Sequence, residues 1–280
     1  MAGTLLHITL SNLALLRAAL PRSARREIEQ EIDSFHLGAV LFDLPYYEHL
    51  LFQGIVRASG LDYRYGDWGT RLHLRSPTGF CVRLLRAAET PSERATAMGA
   101  LTHAAVDMVF HPEIEERVAQ TEAGRARPNR MHHMIETQMD LYLHHRIIGG
   151  PGIGSPYTAQ VLNLRPDSRW IDHFLEAVRF VHGESPSRRR ARSWLRGIHR
   201  FRLLHCRPAA WVSTEVEPDA DRDRTAVRLL ECSLEQASQY LELGWEAAHL
   251  ESSLGTLRRI LPDIDLVRGD AALPSLGEPF

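Results

Sequence analysis

An all-α fold, built as a single multi-helix domain, is what this chain predicts. Apolar residues recur at helical spacing through most of its length, strand-like alternation is scarce, and capping residues and prolines mark the helix ends. The 280 residues suffice for one large core. Residues 1–261 therefore read as one helical domain. Residues 262–280, with little periodicity, read as an irregular tail on the surface or frayed.

The elements follow in order. Over residues 8–20 leucines and alanines keep a helical period until Pro21 interrupts, and residues 23–32 form a second pattern with a charged face. Residues 46–58 offer a third. Between 59 and 80 the chain turns rich in glycine and aromatics (Gly60, Gly66, Trp68, Gly69, Gly79) with no clear period, which predicts a long structured loop. Thr90-Pro91-Ser92-Glu93 has the form of a helix start: Thr90 caps, Pro91 suits the first position and Glu93 reaches back as in a capping box. That helix is expected to run to His111, where Pro112 follows. Pro128 or Asn129 opens another through about residue 147, stopped by Gly149-Gly150-Pro151. Further helical patterns cover 167–182, 187–204, 225–243 and 245–260.

Composition narrows the function. Hydrophobic residues at 44% and charged residues at 24% are ordinary for a folded globular chain. A formal net charge of -2 gives no whole-protein argument for a nucleic-acid or membrane partner, so no stable nucleic-acid partner is expected. All 33 basic residues are arginine, a uniformity that points to genome composition rather than selection at any site. The cysteines Cys81, Cys206 and Cys232 are odd in number and widely spaced, which fits neither a disulfide framework nor a thiolate metal site and suits a reducing, cytoplasmic setting. No stretch approaches the roughly 20 apolar residues of a membrane span. The N-terminal apolar run lacks a basic flank and a cleavage site, so the mature chain is expected to begin at Met1 or Ala2. The run Gly149 to Gly154 has neither a preceding strand nor a following Gly-Lys-Ser/Thr, so it reads as a connector rather than a phosphate loop.

Histidine is the outlier, with 15 in the chain. His103, Asp107 and His111 stand at i, i+4 and i+8, one stripe down a helix that is apolar nearly all round. A buried aspartate between imidazoles needs compensation, and a divalent cation supplies it more completely than hydrogen bonds alone. A second helix carries His132, His133, Glu136, Asp140, His144 and His145, and His132 one turn before Glu136 brings imidazole and carboxylate to a common point, as zinc requires. His133 competes for that role; His132 aligns better with Glu136. Taken singly, each stripe also fits a satisfied core histidine or an exposed i, i+4 pair. Two such helices joined by a short connection make a shared metal site the better reading.

These residues resemble the zinc-dependent phospholipase C and P1-type nuclease superfamily over approximately residues 1–150. The segment from Phe35 through Asp43 to Pro45 looks like the family's aspartate-bearing stretch, and Gly99 through His111-Pro112 like its central ligand helix. The resemblance implies an all-helical fold with two or three zinc ions. It implies one zinc at Asp43, His73, His103 and Asp107, a second at His111, His132 and Glu136, and a third using His7 with Asp107 as bridge and the chain's amino group. The relatives begin with tryptophan, whereas Met1 or Ala2 stands here, and the one-turn interval from Asp107 to His111 is shorter than in the secreted enzymes.

The activity so implied is hydrolysis of a phosphoric ester, phospholipase C-like, by a hydroxide bridging two zincs, with Asp43 orienting it. The substrate would be a phosphate-ester small molecule or a phospholipid. A non-catalytic, metal-stabilised helical binding protein is the alternative, as is a P1-like nuclease whose bases would stack on Trp68, Tyr63 or Tyr65. Asp43 also fits an Asx-type turn, and His73 a loop histidine on Trp68. The arginine-rich run 188–202 reads as a core-packed helix with a solvated arginine face, or as one lying on anionic lipid through Trp194, Leu195, Ile198 and Phe201.

Overall fold

In a computed structural model the described residues are 3–48, 67–126, 128–142, 163–166, 168–205, 220–249 and 266. Among them the architecture is all-α, with no strand. Its centre is the helix Pro91–Gln120, α6 by the chain order used here, whose residues from Ala95 to Met108 are all buried. Its start is the predicted capping box: Glu93 N–H donates to Thr90 Oγ1 (3.3 Å), and Thr90 N–H donates to Glu93 Oε2 (3.0 Å). Pro112 does not end it. Helices are held mainly by tertiary packing, and here Ile114 and Val118 are buried beyond the proline while the proline itself is exposed, so the helix continues for two more turns.

Around α6 lie α1 (Gly3–Arg17), α2 (Arg22–Gln30), α3 (Ile32–Ala39), a 3-10 turn at Leu44–Tyr47, α4 (Asp67–Leu74), α5 (Pro77–Ala87), α7 (Glu122–Ala126), α8 (Pro128–Tyr142), α9 (Trp170–His182), α10 (Arg188–His205) and α11 (Ala220–His249). The expected loop at 59–80 is helical over most of its described part, at Asp67–Leu74 and from Pro77 onward, with Arg75 and Ser76 between the two helices. Gly69 allows it, because a Cβ there would stand 2.6 Å from the Tyr46 ring, and Pro77 opens α5. The expected helix at 46–58 is a 3-10 turn as far as Tyr47; residues 49–58 lie outside the described residues. The two helices expected to meet at Gly244 are continuous through it over the described residues, as far as His249. That glycine is a packing position: a Cβ would lie 2.5 Å from Leu101 Cδ1 and 3.0 Å from Met98 Sδ, so α11 lies directly against α6.

The closest approach is between α3 and α6. A Cβ on Gly99 would stand 2.0 Å from the Phe35 carbonyl, and one on Gly38 2.1 Å from the Thr96 carbonyl. No side chain fits at either position, so backbone meets backbone. The hydroxyl pairs Ser34 with Ser92 (2.8 Å) and Ser11 with Thr102 (2.6 Å) fix the register of α3 and α1 on α6.

α10 is core-packed: Trp194 and Ile198 are fully buried, while Arg188, Arg189, Arg192, Arg196 and Arg200 are exposed. This corresponds to the solvated-arginine reading of the run, since Trp194, Ile198 and Leu195, three of the residues offered to lipid, pack on the core. Its Arg190 grips Glu48 with two nitrogens (2.8 and 2.7 Å) and reaches Asp67 (2.8 Å), which ties α10 to the turn after Asp43 and to the start of α4. Leu266, the one described residue of the closing segment, is 1% exposed and belongs to the main core, rather than lying on the surface. An apolar side chain gains about 2 kcal/mol from such burial. No helix among the described residues is long and apolar enough to cross a membrane.

Candidate metal centre

Three of the candidate ligands come from α6, where His103, Asp107 and His111 are buried on one face. A lone carboxylate buried this deeply is costly. Here four imidazoles surround it. Nε2 of His103 lies 3.0 Å from Asp107 Oδ2, and Nε2 of His73 lies 3.3 Å from the same oxygen. The other oxygen, Oδ1, is 3.2 Å from His7 Nε2 and 3.6 Å from His111 Nε2. Asp43, at the entry to the 3-10 turn, places Oδ1 3.6 Å from His73 Nε2.

The rings are held from behind. His103 Nδ1 donates to the carbonyl of Ala39, a helix-end carbonyl of α3, at 2.8 Å, and His73 Nδ1 to the carbonyl of Gly69 at 2.7 Å. His111 Nδ1 donates to the carbonyl of Leu266, and His132 Nδ1 to Glu115 Oε1 at 2.6 Å. A carbonyl only accepts, so in His73, His103 and His111 Nδ1 carries a proton, which leaves Nε2, toward Asp107, as the atom that takes either a second proton or a metal ion. This is the arrangement by which metal-ligating histidines are oriented. His103 is further sandwiched between the His7 ring at 3.9 Å and the Phe42 ring at 5.0 Å, which fixes its plane.

Charge follows from this crowding. Burial opposes ionisation of Asp107, yet His111, His103 and His7 outweigh it and hold the carboxyl well below its usual range. Burial also opposes charge on His103, but Asp107 and Asp43 lift it to about 9. His73 is raised by the same pair against its burial. On His111 burial wins over Asp107 and pushes the imidazole down. The centre as a whole attracts positive charge.

The donor set fits zinc. Three groups each bring their ligand atoms within 4.8 Å of one another: His7 with His103 and Asp107; Asp43 with His73 and His103; and His111 with His132 and Glu136. His103 Nε2 and Asp107 Oδ2, 3.0 Å apart, are buried without a hydrogen bond of normal geometry among the described residues, a cost that a cation coordinated by both removes. Imidazole and carboxylate ligands suit zinc's four-coordinate sites. The adjoining cleft, lined by His7, Asp107, His111, Glu136, Val106 and Phe110 among others, holds about 10 Å³ of free volume, room for an ion or a water beside the ligands.

All eight candidate residues, His7, Asp43, His73, His103, Asp107, His111, His132 and Glu136, therefore lie in these groups. The short interval between Asp107 and His111 keeps both on one face. Gly3 brings the amino-terminal end of α1 to the site, since a Cβ there would stand 3.1 Å from Glu136 Oε1 and 3.5 Å from His7 Nε2. His36 is elsewhere, its Nε2 2.8 Å from Asn12 Oδ1. The side chains of His133 and Asp140, and residues His49, His144 and His145, lie outside what is described. Trp68 is 5% exposed and packed on His182, which leaves it no face for a base; Tyr63 and Tyr65 are outside the described residues. Sequence reasoning missed Phe42, Glu115 and the carbonyls of Ala39, Gly69 and Leu266. Glu115, an acidic residue one turn past His111, had a detectable position; the carbonyls carried no mark.

A family model described as zinc dependent phospholipase C matches residues 6–184, more than half of the chain and all eight candidate ligands. No curated protein and no solved structure matches it. The match and the three ligand groups together support a zinc-dependent hydrolase. By this match over more than half of its length, and in keeping with its all-α fold, the chain belongs to the zinc-dependent phospholipase C family.

Proposed function

We propose that the protein hydrolyses phosphoric esters in the manner of a phospholipase C, with two or three zinc ions held by the eight clustered residues. The observation that carries this reading is Asp107, whose two oxygens face four imidazole Nε2 atoms at 3.0–3.6 Å. A carboxylate so placed could serve more than one ion. Asp43, His73, His103 and Asp107 would hold one ion, His111, His132 and Glu136 a second, and His7 with Asp107 a third beside the amino-terminal end of α1. Zinc, when bound, brings the pKa of a coordinated water toward neutrality and offsets charge on phosphoryl oxygens.

The protein's own groups supply the rest. Asp43 stands at the edge of the group, 3.6 Å from His73, where it would orient the attacking water. Asp107 and His103 are sealed from solvent, whereas His132 and Glu136 are only half-buried, so the ester approaches from the α8 side. Phospholipid is the substrate class that the family description favours. Neither Cys81 nor Cys232 is in a disulfide, which fits a cytoplasmic setting.

Metal analysis of the purified protein should return two or three zinc per chain, with hydrolysis of a p-nitrophenyl phosphodiester that His103→Ala abolishes. Under one zinc per chain, without chelator, would overturn the ligand set. Full metal content with no hydrolysis of phosphodiesters or phospholipids would leave a metal-stabilised binding protein.

A further inference from the structure

Each histidine of the centre needs a partner for its outward nitrogen, and His111 finds its partner far along the chain. Leu266, 155 positions later, accepts the His111 Nδ1 proton on its carbonyl. The N–H of the same residue donates to the carbonyl of His73 at 2.9 Å. His73 is one residue from the end of α4, where helix carbonyls lack partners within the helix, so this bond satisfies an acceptor that would otherwise be left unpaired. The Leu266 side chain is buried in the main core, which holds the main chain in place. One residue thus links two helices, α4 and α6, each through a candidate ligand, and it lies outside the family match at 6–184.

We propose that Leu266 is a positioning residue of the metal centre, its main chain holding His111 in the Nδ1–H form with Nε2 turned toward Asp107, His132 and Glu136. No group within α6 does this work. A helix uses its interior carbonyls in its own ladder, and among the described residues His111 Nδ1 meets no carboxylate as His132 Nδ1 meets Glu115. The bond to His73 makes the support two-sided: the carbonyl that orients His111 is itself fixed by an N–H anchored on the neighbouring ligand's backbone. Outer partners of this kind are worth about 10–100-fold in metal affinity. The inference rests on the ligand reading proposed above.

Full-length protein and three variants test it. Leu266→Pro removes the N–H and frees the carbonyl from His73. Leu266→Ala keeps both backbone groups but loses the buried anchor. Leu266→Met keeps backbone and apolar bulk. Each is assayed for zinc affinity by competition with a chelating dye and for the visible spectrum of the cobalt-substituted protein, with helicity as the check on folding. Leu266→Pro should weaken the least tightly held zinc about 10–100-fold and shift the cobalt bands, Leu266→Ala should do so to a smaller degree, and Leu266→Met should match the parent. Unchanged affinity and spectrum in Leu266→Pro overturn the proposal. If that variant does not fold, unchanged values in Leu266→Ala do so. A parent chain holding under one zinc would overturn the ligand reading itself, whereas a zinc-loaded parent with indifferent variants removes only the role of Leu266.

Discussion

His103 and His36 are both buried histidines on neighbouring helices, and their surroundings send them in opposite directions. His103 meets Asp107 at 3.0 Å with Asp43 close by, and is lifted to about 9. His36 meets the neutral amide of Asn12, and burial takes it down to about 4. His182 behaves like His36: buried against Trp68, with Arg75 and Arg71 adding to the effect, it also falls to about 4. Burial alone makes a histidine a neutral core residue. A shared carboxylate makes a group of them attract a cation, and a metal can take the place of the proton.

The largest test of this contrast is the carboxylate. Asp107→Asn keeps the shape and removes the charge, so zinc content should fall and phosphodiester hydrolysis should drop about a thousandfold or more, several kcal/mol of lost transition-state stabilisation, as read by metal analysis and steady-state rates. Wild-type values in that variant would put His103 in the same class as His36. Next is the crossing that delivers the Ala39 carbonyl to His103. Gly99→Ala drives a methyl into the Phe35 carbonyl, with an expected loss of about 3 kcal/mol in denaturant unfolding. A loss near zero would mean that α3 and α6 can separate without harm.

The smallest effect is in pH dependence, and its sign separates the two groups. His36 has a folded pKa of about 4 against 6.5 when unfolded, so the unfolded chain takes up the proton first as pH falls. Its contribution is complete above 6.5 and is lost as pH drops to about 4. His103, at about 9 in the folded state, does the opposite: its contribution is complete below 6.5 and is lost as pH rises through 9. In chelator-treated protein, melting temperature against pH should lose part of its acid limb in His36→Gln and part of its alkaline limb in His103→Gln. Both substitutions affecting the same limb would erase the distinction. His36→Gln should leave zinc content unchanged.

How far the residues announced this arrangement differs along the chain. The capping box at Thr90 to Glu93 and the all-α class were legible, because both rest on local spacing. Helix ends were less so. Pro112 and Gly244 look like terminators, yet the first is exposed on a helix packed on both sides of it, and the second is the contact point for Leu101 and Met98. The stretch at 67–80 reads as loop because its glycine and aromatics serve tertiary contacts rather than a helical period: Gly69 makes room for the Tyr46 ring, Trp68 packs on His182 and Phe80 on Phe42.

By itself the sequence determined the stripe of His103, Asp107 and His111 and the pairing of His132 with Glu136, since 3.6 residues per turn places them whatever the fold around them. Only the tertiary structure decided that His7, His73 and Asp43 meet that stripe, and that Ala39, Gly69 and Leu266 hold the rings from behind. The reason is physical: a side chain at helical spacing declares itself by its type, but every residue has the same carbonyl, and which one stands behind an imidazole depends on how close two helices come.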